Sequence, residues 1–216
     1  MKFFPELEEA VREKEIALFH SSLSSRRCRQ ILQETFLPFK SREKIVSGGL
    51  LKIYEQGVMI TGDSGIGKSE SALELLSRGH YFISDDVVKV SIDSRGGLIG
   101  RAPEVIQNSM EIRGLGIINI KEIFGPNKIC PKANIDLVIL LKKWRRGQEY
   151  DRLGLKFPED HSILGRKISR IIIPVAPGRN IATLIEVACK VHILRKKGFH
   201  APQELIRKVD RSLSKI

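Results

Sequence analysis

The chain has 216 residues, 42% of them hydrophobic and 29% charged, with 37 Lys and Arg against 25 Asp and Glu for a formal charge of +12. That is ordinary globular composition, long enough for one well-formed core or for a domain with an appendage. No apolar run nears the ~20 residues of a membrane helix, and the opening MKFFPELEEAVREKE alternates acids and bases where a signal peptide would be apolar; a cytoplasmic protein with no membrane partner is expected. The basic excess fits nucleic acid, an acidic protein or a phosphorylated substrate as partner.

Residues 1 to 44 read as helix and loop. Leu7, Ala10 and Val11 have helical spacing, Ile16 to Phe19 could be a short strand, and Ser24 or Ser25 could cap a helix through Cys28, Ile31 and Leu32 that stops at Pro38. His20 reads as a packing or surface residue. Gly49 to Ile60 then reads as a hairpin turning at Gln56-Gly57.

The second half of that hairpin, Val58-Met59-Ile60, feeds Gly62-Asp63-Ser64-Gly65-Ile66-Gly67-Lys68-Ser69, which fits G-x-x-x-x-G-K-[ST], the P-loop. The spacing has a chemical purpose. Glycines let consecutive N–H groups turn inward around a phosphate, and a helix starting near Gly67 points its positive end at the same anion. Lys68 would reach the β and γ phosphates, and the Ser69 hydroxyl would ligate Mg²⁺. Ala72, Leu73, Leu75 and Leu76 give that helix an apolar face, and Gly79 stands where a left-handed C-terminal cap would.

Tyr81 to Ile83 reads as a strand ending at Ser84-Asp85-Asp86, and Val87 to Ile92 as another before a turn at Ser94 to Gly97. Adjacent carboxylates at a strand end so soon after a P-loop suit a metal or its water on one side and a base near the γ-phosphate on the other; a plain turn pair is the alternative. In Glu111-Ile-Arg-Gly114-Leu-Gly116-Ile-Ile-Asn-Ile120 an acid and an arginine precede two glycines and an apolar strand, and Glu111 could ligate Mg²⁺. Ile135 to Leu141 is a strong apolar strand. Asp151-Arg152-Leu-Gly154 looks like a loop whose arginine could stabilise transferring phosphoryl charge. Ile171 to Val175 is a strand whose Pro174 suggests an edge or an end. Asn180 caps a long helix from Ile181 that ends at Gly198, and Glu204 to Leu213 is a last charged helix.

Cys28, Cys130 and Cys189 have no metal or disulfide spacing, so free thiols are expected and zinc is not. The basic runs Lys142-Lys143-Trp144-Arg145-Arg146 and Arg195-Lys196-Lys197 read as solvated segments, or as a weak nucleic-acid signal where the tryptophan interleaves.

The set GDSGIGKSESALELLSRGH, Ser84-Asp85-Asp86, EIRGLGIINI, DRLG and PVAPGRN followed by IATLIEVA resembles the HPr kinase/phosphorylases, in order and spacing, over about Ile45 to His200. The resemblance implies an α/β fold related to phosphoenolpyruvate carboxykinase, ATP and Mg²⁺ as cofactors, a homohexamer, and phosphorylation of a serine of the sugar-phosphotransferase carrier HPr. It also implies the reverse reaction, in which inorganic phosphate attacks phosphoserine and yields pyrophosphate. It assigns the nucleotide to Gly62–Ser69, the proton acceptor to Asp86, metal ligands to Ser69 and Glu111, and catalytic roles to Lys68 and Arg152. It gives a segment needed in both directions at Glu111–Ile120. A dephosphorylation loop would be formed by Ile173, Pro174, Val175, Ala176, Pro177 and Gly178. Two departures stand out. Residues 1–44 would be only the edge or remnant of the family's larger N-terminal domain, with 45–216 as the catalytic domain. Ser47 stands where the family carries a catalytic histidine, which puts the balance of the two directions in doubt. The alternatives are a P-loop kinase of another protein serine or of a small molecule, and a nucleotide-dependent nucleic-acid-binding regulator.

Overall fold

The computed structural model describes residues 11, 21–40, 43–93, 95–145, 147 and 159–213. The chain forms two compact units, Met1–Arg42 and Glu43–Ile216. In the first, helix α1 (Ser25–Lys40) is capped by Ser24, whose hydroxyl oxygen accepts from the Arg27 N–H at 3.4 Å. Pro38 does not stop α1, which runs on to Lys40. A proline forfeits its own N–H, but so close to a helix end it leaves little helix to disrupt. The readings at Leu7, Ala10 and Ile16–His20 lie outside the described residues.

In chain order the second unit holds β1 (Glu43–Ser47), β2 (Gly49–Ile53), β3 (Gln56–Gly62), helix α2 (Lys68–Ser77), β4 (Tyr81–Ser84), β5 (Val87–Ile92) and β6 (Leu98–Arg101). There follow β7 (Ser109–Ile112), β8 (Gly116–Asn119), α3 (Ile120–Phe124), β9 (Lys132–Lys143), β10 (Glu159–Ile163), β11 (Arg166–Val175), α4 (Ile181–Lys196) and α5 (Ala201–Leu213). Among the described residues nine strands form one mixed sheet in the order β1-β5-β6-β9-β3-β2-β4, with β11 beside the C-terminal half of β9 and β10 beside β11; β7 and β8 pair apart. In its middle β3, β9 and β11 run parallel and finish together, Gly62 opposite Leu141 and Val175 opposite Lys143. In open α/β sheets that end of the strands is where ligands bind.

The strand period of two sorts the core onto two faces. Val58, Ile60, Leu137, Ile139 and Leu141 meet Ala72, Leu75 and Leu76 of α2 and Ala182, Ile185 and Ala188 of α4. Met59 and Val138 point the other way, to Leu50, Val88, Val90 and Ile168. The helices are also tied at their polar rims: Arg78 pairs with Glu74 and Glu186, and Glu186 accepts from Tyr54 and pairs with buried His80.

One turn falls two residues earlier than the sequence suggests. Ile53 pairs with Gln56, so the hairpin turns at Tyr54-Glu55, both at positive φ (46° and 66°) as a two-residue primed turn requires. Gly57 has another purpose: a Cβ there would lie 1.7 Å from the Asn134 carbonyl oxygen, so its bare backbone is what lets β9 pack alongside. Strands β6 and β10 had no assignment from the sequence, and EIRGLGIINI proves to be the hairpin β7–β8 rather than a loop leading to a single strand.

Candidate active site

The apolar strand β3 ends at Gly62, and the chain turns there under close constraint. A Cβ on Gly62 would lie 2.5 Å from the Leu141 carbonyl oxygen, and one on Gly67 2.8 Å from Ile181 Cδ1; both residues have positive φ (145° and 100°). Only glycine meets both demands without strain. Gly67 is the N-cap of α2 and brings no capping side chain. The free N–H groups of the first turn and the positive end of the helix therefore point into the loop, as an anion site needs. Lys68 Nζ donates to the Gly62 and Asp63 carbonyl oxygens at 3.0 and 2.9 Å, which parks its charge over the mouth of the loop.

The two aspartates take different environments. Asp85 is 4% exposed; its Oδ2 accepts from the Ser69 hydroxyl at 3.0 Å, and its Oδ1 is buried with no partner. Burial, only partly offset by the Ser69 hydrogen bond and reinforced by the charge of Asp86, pushes the Asp85 carboxyl up to about 6. Asp86 is exposed and centres a tight turn, with φ +58° and the Val87 N–H donating to the Asp85 carbonyl oxygen at 2.6 Å. Aspartate tolerates this left-handed conformation better than most residues. The turn is braced twice: the Gly48 N–H donates to the Asp86 carbonyl oxygen at 2.8 Å, and the Ser84 hydroxyl to that of Val87 at 2.5 Å. Ser47 pairs with Val87 across the β1–β5 ladder, so this exposed hydroxyl flanks Asp86.

Glu111 lies on β7 between buried Met110 and Ile112, so strand alternation leaves its side chain exposed. In the turn that follows, Arg113 lays its guanidinium against the P-loop: a Cβ on Gly65 would lie 3.3 and 3.4 Å from its two terminal nitrogens. The sequence placed Arg113 only within the Glu111–Ile120 segment and gave it no individual role, and nothing in its spacing announced this non-local contact. Arg152 lies outside the described residues. The segment from Ile173 to Gly178 finishes β11 and turns into α4, where the Asn180 side chain accepts from the Thr183 N–H at 2.7 Å. Lys142, Lys143, Trp144 and Arg145 are exposed at the same end of the sheet, the Trp144 N–H donating to the Val175 carbonyl oxygen at 2.8 Å. A cavity of about 320 Å³ lined by Lys52, Gly57, Cys130, Asn134 and Asp136 opens at the opposite end, where β3 and β9 begin, away from the phosphate loop.

The model of the HPr serine kinase C-terminal domain matches residues 40–209. The chain belongs to the HPr serine kinase family. It is 42% identical over 182 residues to the HPr kinase/phosphorylase of Caldicellulosiruptor bescii, covering 84% of this chain and 58% of that protein. It is 47% identical over 167 residues to that of Alkaliphilus metalliredigens, covering 77% and 53%. The chain thus spans between half and two thirds of the length of these curated relatives. Among solved structures, the HPr(Ser) kinase/phosphatase from Coxiella burnetii superposes with a TM-score of 0.67 at 32% identity, over 75% of this chain and 98% of that one. The mixed α/β fold is the family's.

A kinase family implies ATP, and the glycine-constrained loop at the α2 N-terminus has the geometry an anion site needs. A divalent cation fits the donors here. Ser69 presents a hydroxyl oxygen, and the Asp85 carboxylate stands behind it with one oxygen orphaned; Glu111 is an exposed carboxylate on β7. All are hard oxygen donors. Among the described residues no three His, Cys, Asp or Glu cluster as a metal cage. Mg²⁺ needs none, since it relies on one or two carboxylates, water and substrate phosphates. Among the described residues the cysteines are free, and no helix is long and apolar enough to cross a membrane.

Proposed function

We propose that this chain transfers the γ-phosphoryl group of ATP to a serine of HPr, and that the same site runs the reverse phosphorolysis. The observation that carries this reading is the convergence at one sheet end of a glycine-constrained P-loop, Lys68, and an exposed Asp86 held in a braced left-handed turn. Phosphoryl transfer passes through a loose transition state that needs alignment and charge neutralisation more than covalent chemistry. The loop N–H groups and Lys68 bind and orient the phosphates. Ser69, oriented by Asp85, and Glu111 would hold Mg²⁺, which supplies positive charge to the phosphate oxygens when bound. Asp86 accepts the proton of the substrate serine as its oxygen joins phosphorus. In reverse it returns a proton to the leaving serine oxygen while inorganic phosphate takes the phosphoryl group as pyrophosphate. Arg152 is assigned to the developing charge on family grounds, and the Ile173–Gly178 loop to the reverse direction.

Ser47 shapes the balance. A carboxyl ordinarily ionises well below neutral pH, whereas an imidazole titrates near it and can relay a proton. The serine hydroxyl beside Asp86 can hydrogen-bond but cannot carry that positive charge. The forward direction is therefore favoured and phosphorolysis weak. The proposal includes a cytoplasmic site of action, residues 1–44 as the edge of a further domain, and a homohexameric assembly, which light scattering on the purified chain would test. The function is tested by incubating the chain with labelled ATP, Mg²⁺ and a bacterial lysate, with and without added HPr. Label in phosphoserine of HPr is expected; label only in other proteins or in small molecules would contradict the reading.

A further inference from the structure

Arg113 is the feature of the site that the proposed mechanism leaves unused. It follows β7 directly, in a turn closed by the Leu115 N–H donating to the Ile112 carbonyl oxygen at 3.0 Å. Buried Met110 and Ile112 anchor that strand in the core against α2. The guanidinium lies over Gly65, with the guanidinium carbon 3.8 Å from where a Cβ would stand. The side chain is exposed, and among the described residues it forms no ion pair and no hydrogen bond. A guanidinium is usually held by a carboxylate or a carbonyl when it is fixed in place; here it rests on a bare glycine of a loop whose function is to hold phosphate. Its five donors suit two oxygens at once, which a lysine ammonium does not offer.

We propose that Arg113, lying over Gly65 of the loop, is a second cationic ligand of the nucleotide's phosphate chain, reaching the β and γ phosphates. The inference rests on the P-loop reading above. It gives a reason why Gly65, whose backbone could tolerate asparagine or aspartate at φ +73°, is a glycine: a Cβ there would crowd the guanidinium at 3.3–3.4 Å and push it off the loop. It also divides the work. Lys68 must leave its two carbonyl partners to meet the ligand, whereas Arg113 is already unpaired and in place.

The test is equilibrium binding of ATP and of inorganic tripolyphosphate to the full chain and to R113A and R113K, with thermal melting of each ligand-free protein. The expected result is a loss of about 10- to 100-fold in R113A for both ligands, the size of one charge-assisted pair of hydrogen bonds. R113K should recover part of it, with melting unchanged throughout. Equal binding by R113A would overturn the inference and leave the P-loop standing. A loss for ATP but not tripolyphosphate would place the contact on the base or sugar and overturn it too. So would a lowered melting point in R113A without rescue by lysine, which would make Arg113 a brace for the loop. Failure of the unsubstituted chain to bind either ligand would remove the P-loop reading and this inference together.

Discussion

Replacing Asp85 by asparagine should change the pH dependence of stability in a defined window. Burial raises the Asp85 carboxyl to about 6 in the folded chain, against an ordinary value near 4 when unfolded. Between those values the folded state holds more protons than the unfolded state, so this group's contribution is fully present below about pH 4 and is lost as pH rises through about 6. At one pH unit per 1.36 kcal/mol, the full loss is about 3 kcal/mol, of which about 1 kcal/mol falls between pH 5 and 7. Asparagine keeps an oxygen to accept the Ser69 hydrogen bond and removes the titration. The assay is urea unfolding of both proteins, free of nucleotide and metal, at half-unit steps from pH 5 to 7.5. Subtracting the two curves cancels other groups, including His161 and His192, whose values burial lowers. The variant should gain on the parent by about 1 kcal/mol across the window, on the order of 0.5 M urea in midpoint, and the difference should level off above pH 7. A difference that stays flat, or that shrinks with pH, would refute the claim that Asp85 is a desolvated carboxylate.

Lys68→Ala should lower ATP affinity by about 100-fold or more while melting stays within a few degrees of the parent, because Lys68 donates only to two loop carbonyls and supports no core; calorimetric binding and melting on one preparation check it. Asp86→Asn should cut phosphorylation of HPr by ~10²–10⁴-fold with ATP binding intact, since the amide keeps the shape but takes no proton; single-turnover transfer measured beside nucleotide affinity reads both. Ser47→His should raise pyrophosphate release from phosphoserine-HPr and phosphate more than it raises forward transfer. Rates in the two directions across pH 6 to 8 test this, and a parent that already runs both equally fast would refute it.

What the sequence made legible was local. The P-loop is eight consecutive residues whose glycines, lysine and serine declare one geometry, and the strand before it and helix after it fell where expected. The long apolar run of β9 and the Asn180 cap were equally readable. What stayed hidden depended on partners distant in the chain. Gly57 looked like a turn glycine because the strand that demands its bare backbone lies some 77 positions away, at Asn134. The residue pattern alone left the roles of Asp85 and Asp86 open, and the family resemblance singled out Asp86; the fold supplies the physical difference, burying Asp85 against Ser69 and turning Asp86 outward. Arg113 was legible only as part of the Glu111–Ile120 segment, and its place on Gly65 became visible only through the β7–β8 turn.

The central claim is that one P-loop site moves a phosphoryl group to and from a serine of HPr. Intact mass spectrometry tests it most directly: purified HPr is treated with the chain, ATP and Mg²⁺, then passed into excess inorganic phosphate without nucleotide. HPr is expected to gain one phosphoryl group, located on a serine by fragmentation and absent with Lys68→Ala, which is then slowly removed as pyrophosphate accumulates. HPr that stays unmodified while the chain binds ATP, or that is modified equally well by Lys68→Ala, would contradict it.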